Sequence, residues 1–129
     1  MSDQVELQQG SVVSAEVADP RGLVKRRPVL IITPTDEIVL DGTIVALAIT
    51  TTFPDPPESN QVLLPWHSSG FCPTGLRRRS AVVCDWAVSL RPSQIDFVAG
   101  FLPTKYLLDV MNRRQQLEAN PDKAEDGSS

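Results

Sequence analysis

The sequence predicts a mainly β protein, a small, strongly bent antiparallel β-sheet or barrel with one C-terminal α-helix. Three observations point there. Five short segments rich in Val, Ile, Leu and Thr are set apart by Pro, Gly and Asp punctuation. The one long stretch with helical spacing comes after them, near the C-terminus. The 129 residues, 41% hydrophobic and 22% charged, are enough for a single ordinary core, which separates the chain from disordered sequences.

In order, VVSAEV at 12–17 is the first strand, and DPRG at 19–22 breaks it with Pro and Gly. PVLIIT at 28–33 and TIVALAITTT at 43–52 are runs of apolar and β-branched residues. Unbroken apolarity over that length suits central strands covered on both faces. The connection between them has turn chemistry at both ends, Pro34 and Asp41 with Gly42, and predicts an antiparallel hairpin with a long loop. FPDPPESN at 53–60 is too rigid and too poor in N–H donors for a central strand. QVLLPW at 61–66 and SAVVCDW at 80–86 are further strands around a loop containing Gly, Ser and Pro.

Beyond Leu90 the pattern turns helical. Pro92 to Val98 reads as a short helical turn, and Pro103 suits a first helical position, where its missing N–H is harmless. Leu107, Val110, Met111 and Arg114 recur at helical spacing and predict an amphipathic helix over 103–117, ended by Asn120 and Pro121. The chain thus divides into a folded domain over 1–117 and an acidic, aromatic-free tail over 118–129, expected to be disordered. The apolar helix and the doubly covered strands leave surplus apolar surface, which a homodimer would cover.

The net charge of −4 hides an uneven distribution. Arg21, Lys25, Arg26 and Arg27 form one basic stretch, and Arg77, Arg78 and Arg79 a second; together they hold seven of the twelve Lys and Arg. From Gln116 onward, Glu118, Asp122, Glu125 and Asp126 stand against Lys123 alone. Local charge, not the total, decides whether phosphate is attracted. No apolar run approaches the ~18 residues of a membrane span. The start, MSDQVELQQG, has neither the basic flank nor the apolar stretch of a signal peptide. Cys72 and Cys84 make no disulfide framework and no CxxC pair. A soluble, cytoplasmic protein with reduced thiols and no membrane contact is expected.

His67 is the only histidine, so any Ser–His or Cys–His nucleophilic pair would have to use it. Within PWHSSGF a solvated loop histidine is the simpler reading. His67, Cys72, Cys84 and Asp85 match no structural zinc spacing, and neither metal nor cofactor is expected. Cys84, inside an apolar strand, reads as a buried inert thiol. The phosphate-binding options are sharper. Lys25, Arg26 and Arg27 run straight into Pro28, which holds Arg27 in extended backbone at the entrance to a strand. A guanidinium fork suits bidentate phosphate contact and stays charged at any useful pH. A solubilising charge run is the alternative. It weighs more for Arg77, Arg78 and Arg79, which lie in a loop beside no catalytic candidate. Reflection through the middle of the hairpin loop, between 38 and 39, places Thr50 across from Arg27. Simple β-propensity is the competing reason for a threonine at that position.

Several pieces in this order and spacing resemble the MazF/PemK (Kid) family of toxin endoribonucleases. They are GSVV at 10–13, DPRG at 19–22, RRPVLIITP at 26–34, AITT at 48–51, TGL at 74–76 and SAVVCDW at 80–86, then Gly100 before the last helix. The resemblance covers about residues 8–115. It implies an SH3-like bent β-barrel, a homodimer, and metal-independent RNA cleavage in an interface groove. The family's essential arginine, directly before Pro, falls on Arg27, and its essential threonine falls on Thr50. Asp85 matches an aspartate that some members use as an acid–base group, although Val83 stands where those members carry a basic residue. The segment from Gly22 to Arg26 is shorter than its family counterpart and lacks an acid.

On this resemblance the chain is expected to be an mRNA interferase, cleaving single-stranded RNA to 2′,3′-cyclic phosphate and 5′-hydroxyl ends. Arg27 would stabilise charge on the non-bridging oxygens, Thr50 would hold or protonate a phosphate oxygen, and Asp85 would be the candidate base. Lys25, Arg26, Arg77, Arg78 and Arg79 would track the RNA backbone. A cognate antitoxin protein is the implied partner. The alternative is a catalytically inactive MazF/CcdB-like protein-binding module, since a fold does not fix an activity.

Overall fold

In the computed structural model, which describes residues 7–18, 21–39 and 42–119, six strands form one antiparallel sheet. They are β1 (Ser11–Ala18), β2 (Val24–Ile31), β3 (Ile44–Thr50), β4 (Gln61–Leu63), β5 (Ala81–Leu90) and β6 (Ile95–Phe101). Their spatial order is β4-β5-β3-β2-β1-β6, and one helix, α1 (Thr104–Ala119), follows. The sheet is open rather than closed, and the mainly β class with a C-terminal helix is as expected. The acidic tail from Asn120 onward and the turn positions Asp19, Pro20 and Asp41 lie outside the described residues.

The long apolar runs have the meaning that their lack of alternation suggested. Successive residues of β1, β2 and β3 bury on opposite faces. On one face Val12, Leu30, Leu47 and Ile49 pack with Val82, Cys84 and Val110 of α1. On the other, Val13, Ala15, Val29, Ile31, Ile44 and Ala46 pack with Leu90, and Trp86, Val88 and Ile95 lean on them. Both faces of the central strands are therefore covered within one chain. The surplus apolar surface lies elsewhere, at residues such as Leu23, Val24, Phe71, Phe97 and Phe101. Burial raises the Cys84 thiol pKa to about 11, above its ordinary range.

The hairpin register agrees with the reflection argument. Val29 faces Ala48, Leu30 faces Leu47 and Ile31 faces Ala46. Other boundaries move. β2 begins at Val24, not Pro28, because the basic triplet extends the β1–β2 ladder: Ala15 faces Arg27, Glu16 faces Arg26 and Val17 faces Lys25. Arg27 is thus mid-strand and half-buried rather than at a strand entrance. β4 stops at Leu63, short of the expected Trp66, while β5 runs on to Leu90. Of the helical turn read over 92–98, only Pro92–Gln94 is helical, as a 3-10 turn; the rest is β6. Two register shifts against β1 break its alternation, which hides the strand in the sequence. Pro103 caps α1 from outside, its carbonyl accepting from the N–H groups of Tyr106 and Leu107.

The segment 64–76 carries the chain from β4 to the opposite edge of the sheet. There Phe101 N–H donates to the Pro73 carbonyl at 2.9 Å, so β6 is not a bare edge. Thr74, fully buried, is satisfied by donating to the Pro65 carbonyl at 2.7 Å and accepting from Leu76 N–H at 3.2 Å. Gly100 permits this approach, since a Cβ there would run into the Pro73 carbonyl oxygen and the Thr74 backbone. Gly100→Ala should therefore destabilise the fold by about 3 kcal/mol. A thermal midpoint equal to that of the parent would show that the segment is not locked to β6. In the native state at pH 8, half-buried Cys72 should react with a disulfide reagent while Cys84 stays protonated and unreactive until denaturation. Two fast thiols would contradict the burial of Cys84.

Candidate functional site

β2 stays paired with β1 back to Val24, but its ladder to β3 ends at Val29 and Ala48. The next residue of β2 is Pro28, which has no N–H to give. Beyond this point β3 keeps only its ladder to β5 on the other edge, where Thr50 pairs with Ala81. A cleft of ≈ 640 Å³ opens where the strands part. Lys25, Arg26, Arg27 and Pro28 wall one side, Ile49 to Thr52 the other, and Trp86 reaches in from β5.

Trp86 gets there through a bulge. Leu47 pairs with Ala87 but Ile49 with Val82, so residues 83–86 stand against Ala48 alone and β5 carries three more residues than β3 there. Such an insertion bends a strand and re-aims its side chains. The Trp86 ring rests on the apolar face built by Val13, Val29 and Ile31 and carries the Arg27 guanidinium, whose carbon lies 4.9 Å from the ring centroid. This cation–π contact holds the charge in place. It leaves one donor unmatched: Arg27 Nε is buried with no hydrogen-bond partner. A buried, unmatched donor on a permanent cation is unfavourable until an acceptor arrives. The cleft is preorganised for an anion.

Thr50, predicted to neighbour Arg27, lines the same cleft. Its hydroxyl accepts from Thr52 N–H at 3.1 Å and donates weakly to the Thr52 carbonyl at 3.3 Å. The long donor contact is easily exchanged for a better acceptor. Asp85 is not brought to this cleft. It projects on the other side of the bulge, exposed, accepting from Asn60 Nδ2 at 2.9 Å. The chain neighbours Asp85 and Trp86 point to different surroundings, as consecutive residues of a strand do.

The basic residues separate into two groups. Arg26 Nε pairs with Asp96 at 2.7 Å, and Arg79 pairs with Asp55 at 3.4 Å while lying over Phe53. Lys25, Arg27 and Arg77 have no acidic partner among the described residues. Lys25 and Arg27 line the cleft, and Arg77 lines a second cleft beyond Pro28. Arg78 is exposed, its carbonyl accepting from Ser80. The five residues expected to track the RNA backbone are therefore partly neutralised by acids distant in sequence. His67 is an exposed loop residue whose Nδ1 meets Ser69 Oγ at 2.8 Å and accepts from Ser69 N–H. Among the described residues, no three His, Cys, Asp or Glu side chains are grouped to hold a metal ion. The functional residue that sequence reasoning missed is Trp86. Its signal was weak: a large aromatic ending a strand, in a chain with only 5% aromatic residues.

No protein-family model and no curated protein matches the chain. Solved structures do. MazF from Deinococcus radiodurans superposes with a TM-score of 0.71 at 19% identity, covering 90% of this chain and 99% of that one. A MazE–MazF structure from the same organism gives 0.68 at 20% identity, over 89% and 98% of the two chains. An endoribonuclease from Mycobacterial species gives 0.67 at 14% identity, over 92% and 96%. At these identities the likeness establishes architecture over nearly the whole of each chain: this protein has the MazF fold.

Proposed function

We propose that the protein is an endoribonuclease, the toxin of a toxin–antitoxin pair, acting on single-stranded RNA. The observation that carries this reading is Arg27, held over Trp86 without an acidic partner among the described residues, in a cleft that Thr50 also lines. Fold neighbours that are a MazF, an endoribonuclease and an endoribonuclease in complex with its cognate antitoxin support it. The resemblance quoted from the sequence, RRPVLIITP and AITT, bears on the same two side chains. Homodimer formation, a cytoplasmic location and neutralisation by a small antitoxin belong to the same reading.

In the proposed reaction the ribose 2′-oxygen attacks the adjacent phosphorus, and the 5′-oxygen of the next nucleotide leaves. The products carry a 2′,3′-cyclic phosphate and a 5′-hydroxyl. Arg27 supplies a preformed cation to the non-bridging oxygens as their charge grows. Thr50 turns its hydroxyl from the Thr52 carbonyl toward a phosphate oxygen. Lys25 holds the strand by charge at the rim. Among the described residues the cleft of one chain presents no carboxylate or imidazole. Proton transfer therefore falls to water or to a group from outside it, and Asp85 keeps the base role only if it comes from outside. That same absence is what favours the second reading, a catalytically inactive binding module.

Arg27→Ala should lower single-turnover cleavage by about 10²–10³-fold, the scale for losing one transition-state donor. Its fold should weaken by no more than about 1 kcal/mol, the scale of one cation–π contact. Arg27→Lys should remain poor, because a point charge does not reproduce the fork. Thr50→Ser should retain much of the rate that Thr50→Ala loses. If folded Arg27→Ala cleaves like the wild type, the binding-module reading replaces this one. Asp85→Asn should change the rate by less than about tenfold, given where Asp85 lies; a loss as deep as that of Arg27→Ala would return it to the chemistry. Cleavage should also persist in excess EDTA and leave cyclic phosphate ends. Activity abolished by chelation and restored by a divalent ion would exclude the proposed mechanism.

A further inference from the structure

The second cleft, ≈ 630 Å³ in volume, begins where the first ends, since Pro28 lines both. Pro28 faces Ser14 across β2 and β1, and Ser14 faces Phe97 across β1 and β6, so the three stand side by side on one face. Two strand spacings, about 10 Å, separate Pro28 from Phe97. Opposite them the segment 69–77 supplies Ser69, Gly75 and Arg77. Arg77 is not a loosely solvated charge. Its side chain lies along the backbone of Gly70, where a Cβ would meet Nε at 3.1 Å and Cγ at 3.3 Å. Among the described residues it has no acidic partner, and no acid lines the cleft.

Phe97 is the second unusual feature. Three of the four phenylalanines are exposed: Phe97 by 56%, Phe101 by 59% and Phe71 by 91%, all on β6 or on the segment docked to it. The core is built from aliphatic residues instead. A flat ring open to solvent, a fixed unpaired guanidinium and a serine hydroxyl in one groove match a nucleotide, with its base face, phosphate and sugar hydroxyls. An acidic peptide would satisfy Arg77 but gains nothing specific from a ring face. We infer that this cleft is a second RNA subsite, in which Phe97 stacks a base and Arg77 holds the phosphate of a nucleotide flanking the cleaved bond. The inference rests on the ribonuclease reading and extends it to substrate length.

The test uses 2′-O-methyl oligonucleotides of mixed sequence, which the proposed chemistry cannot cleave, in a tetranucleotide and a dodecanucleotide length. Binding is read by fluorescence anisotropy. The wild type should prefer the longer strand. Phe97→Ala should reduce that preference about tenfold, in line with the loss of one stacked base, and Phe97→Tyr should retain it. Arg77→Ala should lower the slope of log affinity against log salt by about one. Circular dichroism and sedimentation equilibrium accompany each variant. Folded Phe97→Ala and Arg77→Ala proteins that bind the long strand like the wild type would overturn the subsite. So would a fall in oligomeric mass for Phe97→Ala, which would assign the patch to a second copy of the chain. If the wild type binds neither length and cleaves no RNA, it is the ribonuclease reading that fails. If wild-type cleavage depends on Arg27 while Phe97 has no effect on binding, the subsite alone falls.

Discussion

Burying three consecutive strands on both faces is the constraint from which the rest of this structure follows. A single flat sheet buries one face against a helix and leaves the other wet. Here Val13, Ala15, Val29, Ile31, Ile44 and Ala46 need their own cover, and the one helix lies on the opposite side. The C-terminal half of β5 and β6 supply that cover, which requires both strands to bend. The register shifts in β5 against β3 and in β6 against β1 are where they do so. The bend in β5 is also what delivers Trp86 to the cleft. Packing requirements of the core and the geometry of the site are met by the same irregularity.

The cleft in turn depends on a defect in pairing. Pro28 fits the β1 side of β2 but ends the ladder toward β3, and the strands part where Arg27 and Thr50 lie. An arginine in that gap would ordinarily find a carboxylate or escape to water. Trp86 and the apolar face beneath it hold the guanidinium half-buried without offering an acceptor. Chain stability is thereby reduced slightly in favour of anion affinity, the usual relation between a binding site and its fold.

Edge protection shapes the remaining surface. β4 is only three residues long, and Arg113 ties α1 to the segment before it by donating to the Ser59 carbonyl at 2.8 Å. β6 is blunted by Pro73 and its neighbours, an approach that Gly100 makes possible. Because segment 64–76 must lie flat along β6, it brings Arg77 opposite Phe97, two residues that have no relation in sequence. A device that prevents strand-edge association also forms the second cleft.

What the sequence by itself determined was periodicity, register and local chemistry. Apolar runs at 28–33 and 43–52 identified doubly buried strands, the loop between them set the register of the hairpin, and that register led from Arg27, singled out by its charge and the proline after it, to Thr50. The helix was legible from its 3.6-residue repeat. These are properties of neighbouring residues, and short-range sterics and burial enforce them. Tertiary structure alone decided what depends on bulges and on partners far along the chain. The strand β6 was hidden because two register shifts erase its alternation. Trp86 reached the cleft because β5 bulges away from its β3 ladder over 83–86. Arg26 and Arg79 were neutralised by Asp96 and Asp55, while among the described residues Lys25, Arg27 and Arg77 were left without acids, a division invisible in a charge count. Charge becomes available for binding only where the fold withholds a counterion, and that is set by which strands the core forces together.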